Sequence, residues 1–313
     1  MNEQHSAPQP KKERLIFLLI AYGLTFLMGL PLAIAQRGGY NTDVFPNAQM
    51  YYPAAGVMLA YLAARRPSLP RRFFVFYLLN TAALVSSCLG AVLAPGDVWL
   101  AAANLIVVAG SALAWVFLLT ERKEKRGAAG LRWHGGVKAL GFVALFILLR
   151  TAAVFLSMLP YGQLGEYLAY WSTPDPYLTF LLLIPNFFLS FLPFFGEEYG
   201  WRYYLQPRLQ QRFGPRGGVL ALGLVWAAWH LPLNFFYYAP ETGLQSFASQ
   251  IITCVVMAVF FGWAYMKTQN IWVPVLLHCF NNSLILVQLI VYGVIFLPFL
   301  ASGVFRKARP AEK

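Results

Sequence analysis

The sequence predicts an all-α fold, a polytopic helical membrane protein of about eight to ten transmembrane helices. Three observations carry that prediction. The 313 residues are 59% hydrophobic and only 12% charged, a balance foreign to soluble globular domains. The apolar residues gather in charge-free runs close to the ~20 residues that cross a bilayer as a helix. The cations gather between those runs, in alternate loops, as the positive-inside rule requires. The formal net charge of +12 is therefore topological, and no nucleic-acid partner is expected. Cys88, Cys254 and Cys279 each lie inside an apolar segment with no CxxC pair, so they read as small core residues.

Taken in order, a polar tail (1–14) precedes the first run, Leu15 to Ala35. That run is longer than a signal-peptide core and lacks a small-residue cleavage site, so it is expected to stay as a span. Runs at 48–64, 73–94 and 98–120 complete a four-helix membrane region over 15–120. A basic loop, 121–137, leads into a membrane core over 138–305, with runs at 138–159, 177–203, 217–238 and 245–266. The last apolar stretch, Ile271 to Phe305, would be ~50 Å long at 1.5 Å per residue, too long for one perpendicular crossing. It reads as a broken helix, two short spans, or a span with an interfacial tail. A basic tail (306–313) ends the chain.

Lys11, Lys12 and Arg14 precede the first run; Arg65, Arg66, Arg71 and Arg72 follow the second; Arg122 to Arg132 follow the fourth; Arg208, Arg212 and Arg216 follow the sixth. The intervening loops hold almost no Lys or Arg apart from Arg37. The expected setting is a multi-pass protein of the plasma (inner) membrane with a cytoplasmic N-terminus.

Three polar motifs interrupt the apolar second half: Glu197-Glu198-Tyr-Gly-Trp-Arg202, Trp226-Ala-Ala-Trp-His230 and His278-Cys-Phe-Asn-Asn282. Ionisable groups at membrane depth are costly and are kept where they pair, conduct or catalyse. Residues four apart share a helix face, so Glu198 sits beside Arg202, Trp226 beside His230 and His278 beside Asn282. Counting from the basic loops puts all three motifs in the cytoplasmic to central part of the membrane. One shared cavity, opening toward the cytoplasm or inner leaflet, is the expectation. Pro193, Pro232 and Pro274 flank the motifs, and each is expected to kink its helix and admit water. Arg150, inside the fifth run, has two readings: snorkelling or pairing with a carboxylate.

These residues resemble the CPBP group, the CAAX proteases and bacteriocin-processing enzymes, also called the ABI family of intramembrane glutamic endopeptidases. The family pattern is a Glu-Glu-x-x-x-Arg helix, an aromatic-x-x-x-His helix and a His-x-x-x-Asn helix, and the likeness covers 178–290. Trp226 stands where prenyl-processing members often have Phe. Peptide hydrolysis needs a water activated by a base and a donor for the tetrahedral oxyanion. Glu197 is the candidate base, since a carboxylate away from bulk water is a better proton acceptor. His230 would share or orient the water, and His278 and Asn282 would donate to the oxyanion. Glu198 and Arg202 would pair to hold the site, with Trp226 as packing or cavity wall. The resemblance implies the same division.

The expected function is thus an endopeptidase acting within the bilayer on a membrane-associated protein or peptide, a CAAX-like prenylated tail being one such substrate. No cofactor or metal is expected. Two other classes compete. Glu197, His230 and His278 supply a carboxylate and two imidazoles to a zinc-dependent hydrolase, although no HExxH spacing is present. In a non-enzymatic transporter, scaffold or immunity protein, the same groups would line a pathway or bind a partner.

Overall fold

A computed structural model describes residues 11–283 and 289–306, and every regular element among them is a helix. The polar tail up to residue 10 and the basic tail from 307 lie outside the described residues. The chain is a polytopic helical membrane protein. Six continuous helical stretches are long and apolar enough to cross a bilayer. Leu79, Leu105, Leu119, Leu148 and Leu181 point outward from them. Lipid solvates such side chains at no cost, so the spans bury only one face.

Helix α1 (Lys11–Arg37) buries Phe17, Ala21, Met28 and Leu32. Glu13 at its start is buried against Arg66 at 2.7 Å. The second expected span is not one continuous crossing. It is a short helix, α2 (Val44–Gln49), then α3 (Tyr52–Ala63), whose 12 residues rise only ~18 Å. The chain thus turns at Gln49 and Met50 beside the polar motifs, against Trp229 and Gly196. Helices α4 (Arg71–Leu93) and α5 (Val98–Thr120) form a hairpin. After the short α6 (Lys123–Ala128) come α7 (Gly136–Met158) and α8 (Leu164–Trp171).

Helix α9 (Asp175–Glu198) loses helical dihedrals at Ser190, three residues before Pro193, then continues through a π-helical segment, Tyr199–Leu205, into α10 (Gln206–Trp229). The sequence reading placed a loop at 208–216; the structure has helix there, broken at one point. Gly214 takes φ +77°, a left-handed value that favours glycine, and Pro215 restarts the helix. The chain folds back at this corner: a Cβ on Gly218 would collide with the backbone of Leu209 and Gln210. The stretch Asp175–Trp229, 55 residues long, is therefore two crossings.

Helix α11 (Gly243–Thr268) packs along α10, and α12 (Trp272–Ser283) packs against α7 and α9. Pro274 does not kink α12. It is the third residue of the helix, in the first turn, where the missing N–H has no intrahelical partner to lose. Helix α13 (Leu289–Phe296) follows and runs into 3-10 turns, so the last apolar stretch is broken. One aromatic and aliphatic core joins both halves of the chain. At its centre Trp272 stacks on Phe195 and Trp115, at 5.7 and 5.2 Å between ring centroids.

Candidate active site

The end of α9 brings Glu197 and Glu198 into the protein interior at the level where α3 begins. The approach is close. A Cβ on Gly196 would collide with the carbonyl oxygen of Met50 and the hydroxyl of Tyr77, so only glycine lets α9 touch α3 here. Past Glu198 the helix widens into its π segment, a distortion often found at functional sites. Arg202 within it turns back, and its Nη1 donates to Glu198 Oε1 at 2.9 Å with both side chains fully buried. The expected Glu198 to Arg202 contact is present.

Glu198 has a second partner that sequence spacing did not disclose. His278 Nδ1, on α12, lies 2.8 Å from the same Oε1. Donation from Nδ1 leaves the ring's Nε2 for other contacts, an acceptor in the neutral ring and a donor in the imidazolium. Glu198 and Arg202 stand behind His278 rather than in the cavity. Removing either partner of such a buried charge pair typically costs ~3–5 kcal/mol, because the other is left uncompensated.

Trp226 does more than fill space. Its indole Nε1 donates to Glu197 Oε2 at 2.6 Å, and its ring lies under the Arg202 guanidinium at 4.2 Å. The indole thus ties Glu197 and Arg202 of the first motif to α10, whereas sequence reading had it as packing or cavity wall. One turn on, His230 Nδ1 lies 2.9 Å from the Trp226 carbonyl oxygen. Only a protonated Nδ1 makes that bond, so Nε2 is the nitrogen left for chemistry. Trp229 packs edge-on against His230 and donates to Ala21 O of α1 at 2.9 Å, while Gln49 of α2 donates to Trp229 O at 3.0 Å. The first half of the chain, which carries none of the motifs, buttresses the second motif.

A cavity of about 530 Å³ joins the motifs, within the usual range of ligand sites. Glu197, Trp226, His230, His278 and Asn282 line it together. Asn282 is exposed at its edge and accepts from Asn281 Nδ2 at 3.2 Å. Arg150 also lines the cavity, with Tyr292 and Asn281 beside it. The spacing of polar residues did not bring Arg150 into the site; its one signal was a lone cation inside an apolar run. Among the described residues, no three His, Cys, Asp or Glu side chains are grouped to hold a metal ion.

Among the described residues, the cavity has the exposed part of its lining away from the basic loops. Its exposed lining residues are Tyr238, Ser249 and Asn282. Tyr238 lies beyond His230 at the end of α10 remote from Arg216, and Ser249 is in the second turn of α11, whose last turn carries Lys267. Pro46 and Met50 line the same side. Counting residues gave an expected depth for the motifs but not which neighbours surround the cavity. Trp226, Trp229 and Met257 are buried parts of its lining.

Residues 179–284 match the family model described as type II CAAX prenyl endopeptidase Rce1-like. Over 184 residues, 55% of this chain and 68% of the relative's, the sequence is 26% identical to CAAX prenyl protease 2 of Methanococcus maripaludis. No solved structure matches the chain. The matched segment holds all three motifs, so over that third of its length the chain is similar to the type II CAAX prenyl endopeptidases.

Proposed function

We propose that the protein is an intramembrane endopeptidase in which Glu197 activates water against a peptide bond of a membrane-associated protein or peptide. One observation carries this reading above the others. Trp226 holds Glu197 Oε2 at 2.6 Å, which leaves Oε1 on the wall of a cavity shared with His230 and His278. Glu197 takes a proton from water, and the hydroxide adds to the peptide carbonyl. His230, with Nδ1 committed to the Trp226 carbonyl, orients that water through Nε2. The tetrahedral oxyanion is met by His278 Nε2–H, in the imidazolium, and by the Asn282 amide. Collapse breaks the C–N bond, and the proton held by Glu197 passes to the departing amine. Glu198 and Arg202 fix His278 and the end of α9. No cofactor enters this scheme.

The position of the mouth bears on the substrate. The basic loops and N-terminus belong in the cytoplasm by the positive-inside rule, and the mouth lies on the other side. The substrate class we propose is therefore a peptide tail held at the extracytoplasmic side of the plasma (inner) membrane. The archaeal relative's name assigns it prenylated CAAX proteins; for this chain a cytoplasmic tail of that kind requires the opposite insertion. The test compares peptides released from membranes of wild-type cells and of a strain carrying Glu197→Gln. Fragments made only by the wild type are expected, and identical release from both strains would overturn the reading.

A further inference from the structure

The segment that joins α5 to α7, residues 121–138, carries cations that the scheme above does not use. Arg122, Lys123, Lys125, Arg126, Arg132 and Lys138 share it with only Glu121 and Glu124, and Glu121 is taken by Lys125 at 3.4 Å. Among the described residues no ion pair engages the other cations of the segment. Arg126 Nε is buried with no hydrogen-bond partner among the described residues. The Arg132 side chain packs beside the same turn, where a Cβ on Gly127 would meet its Cδ at 3.4 Å. Trp133 and Val137 lie exposed among these charges, at 43% and 85%. Because the segment connects two spans, it lies at the bilayer edge. An exposed tryptophan there sits at headgroup level, and cations beside it meet lipid phosphates.

The other face of the segment is fastened to the two elements that carry Glu198 and His278. Tyr199, which follows Glu198 in the chain, donates its hydroxyl to Ala129 O at 2.9 Å. Trp272, the first residue of the helix that bears His278, donates Nε1 to Leu131 O at 2.9 Å. Asn270, just before it, donates Nδ2 to His134 O at 2.7 Å. Between these anchors Gly130, at φ +69°, lies so close to the Tyr203 ring that a Cβ there would collide with it. One backbone strap thus holds together the two elements whose side chains meet at 2.8 Å, Glu198 Oε1 and His278 Nδ1. Its outer face is charged and open.

We propose that residues 121–138 bind the phosphates of anionic phospholipid headgroups, and that this binding tightens the strap on Tyr199 and Trp272. Arg126 and Arg132 supply guanidinium forks suited to phosphate oxygens. Trp133 and Val137 place their apolar surface among the upper acyl groups. A tighter strap steadies Glu198 against His278, so anionic lipid acts on kcat rather than KM. The lipid site stands whatever chemistry the cavity performs; its effect on turnover rests on the endopeptidase reading.

The test uses the full-length protein in phosphatidylcholine vesicles, with a fluorophore attached through Val137→Cys; the native cysteines are buried. Spin-labelled phosphatidylglycerol should quench it roughly fivefold or more better than spin-labelled phosphatidylcholine, the enrichment that a single nearby cation brings, and high salt should shrink the difference. Arg126→Gln combined with Arg132→Gln should bring the two lipids close to equal. Equal quenching without those changes, or a preference untouched by them or by salt, would refute the headgroup site. Tyr199→Phe tests the coupling, since it keeps the ring stacked on Tyr203 at 4.6 Å and removes only the donor to Ala129. When phosphatidylglycerol replaces half of the phosphatidylcholine, wild type should gain melting temperature and a severalfold higher kcat. Tyr199→Phe should keep the lipid preference and lose both gains. No gain in the wild-type melting temperature, or equal gains in Tyr199→Phe, would overturn the coupling. Absence of peptide cleavage by wild type in either lipid counts against the endopeptidase reading alone, because quenching and melting are read without substrate.

Discussion

Trp226→Phe isolates one bond in the site. Phenylalanine keeps an aromatic ring beneath Arg202, where the indole now lies at 4.2 Å, and against His278, where centroids are 5.5 Å apart. What disappears is the Nε1–H donor at 2.6 Å from Glu197 Oε2. Both partners are buried, Trp226 to 5% and Glu197 to 2% exposure, so no bulk water replaces the donor. A hydrogen bond to a charged group contributes ~1.5–3 kcal/mol. If it is needed to aim Oε1 at the water, kcat should fall roughly 10- to 150-fold, at 1.36 kcal/mol per factor of ten. Initial-rate kinetics on a peptide identified by the membrane comparison would measure this, with KM little changed because the indole N–H faces the base and not the substrate. A kcat within twofold of wild type, in a protein that melts normally in detergent, would refute the orienting role of Trp226.

Further outcomes follow from the same geometry. Glu198→Gln should lower the melting temperature in detergent markedly, since it uncouples Arg202 and His278 together, a buried pair typically worth ~3–5 kcal/mol when broken; an unchanged melting curve would argue against that network. Turnover should survive exhaustive chelation, because the scheme runs on Glu197 and the two imidazoles; loss on chelation with recovery on added zinc would favour a metal hydrolase. A cysteine at Gln211 should react with an impermeant thiol reagent only in inside-out vesicles, and one at Gly165 or Ser249 only in intact cells. The native Cys88, Cys254 and Cys279 are buried and should contribute little background. Labelling of Ser249→Cys from the cytoplasmic side would return a cytoplasmic tail to the substrate list.

What could be read from the sequence was local. Apolar runs gave the spans, and the i, i+4 spacing gave Glu198 its Arg202 and placed Trp226 and His230 on one face, because a helix repeats every 3.6 residues regardless of its neighbours. What could not be read depends on how helices meet. The contacts between Glu198 and His278, and between Trp226 and Glu197, join residues 80 and 29 positions apart. Nor does spacing along one helix show the close approach at Gly196, where the backbone of Met50 and the hydroxyl of Tyr77 leave no room for a side chain. The broken crossing at α2 and α3 was hidden for another reason. Residues 48–64 are apolar enough for a span, and composition does not say that the helix breaks between Gln49 and Tyr52. Proline alone was an unreliable guide: Pro193 lies beside a real break at Ser190, whereas Pro274 only opens a helix. Arg150 was noticed as a lone cation, but its place on the cavity wall comes from the packing of α7 against α12 and α13.

The claim most in need of a direct answer is that Glu197 activates water rather than attacking the substrate itself. With enzyme in excess over a peptide substrate in heavy-oxygen water, general-base hydrolysis puts the heavy oxygen into the new C-terminal carboxylate during the first turnover. The account predicts that label in the wild-type product and no product from Glu197→Gln on the same timescale. A first-turnover product carrying only light oxygen, with the label found on the Glu197 side chain, would contradict it.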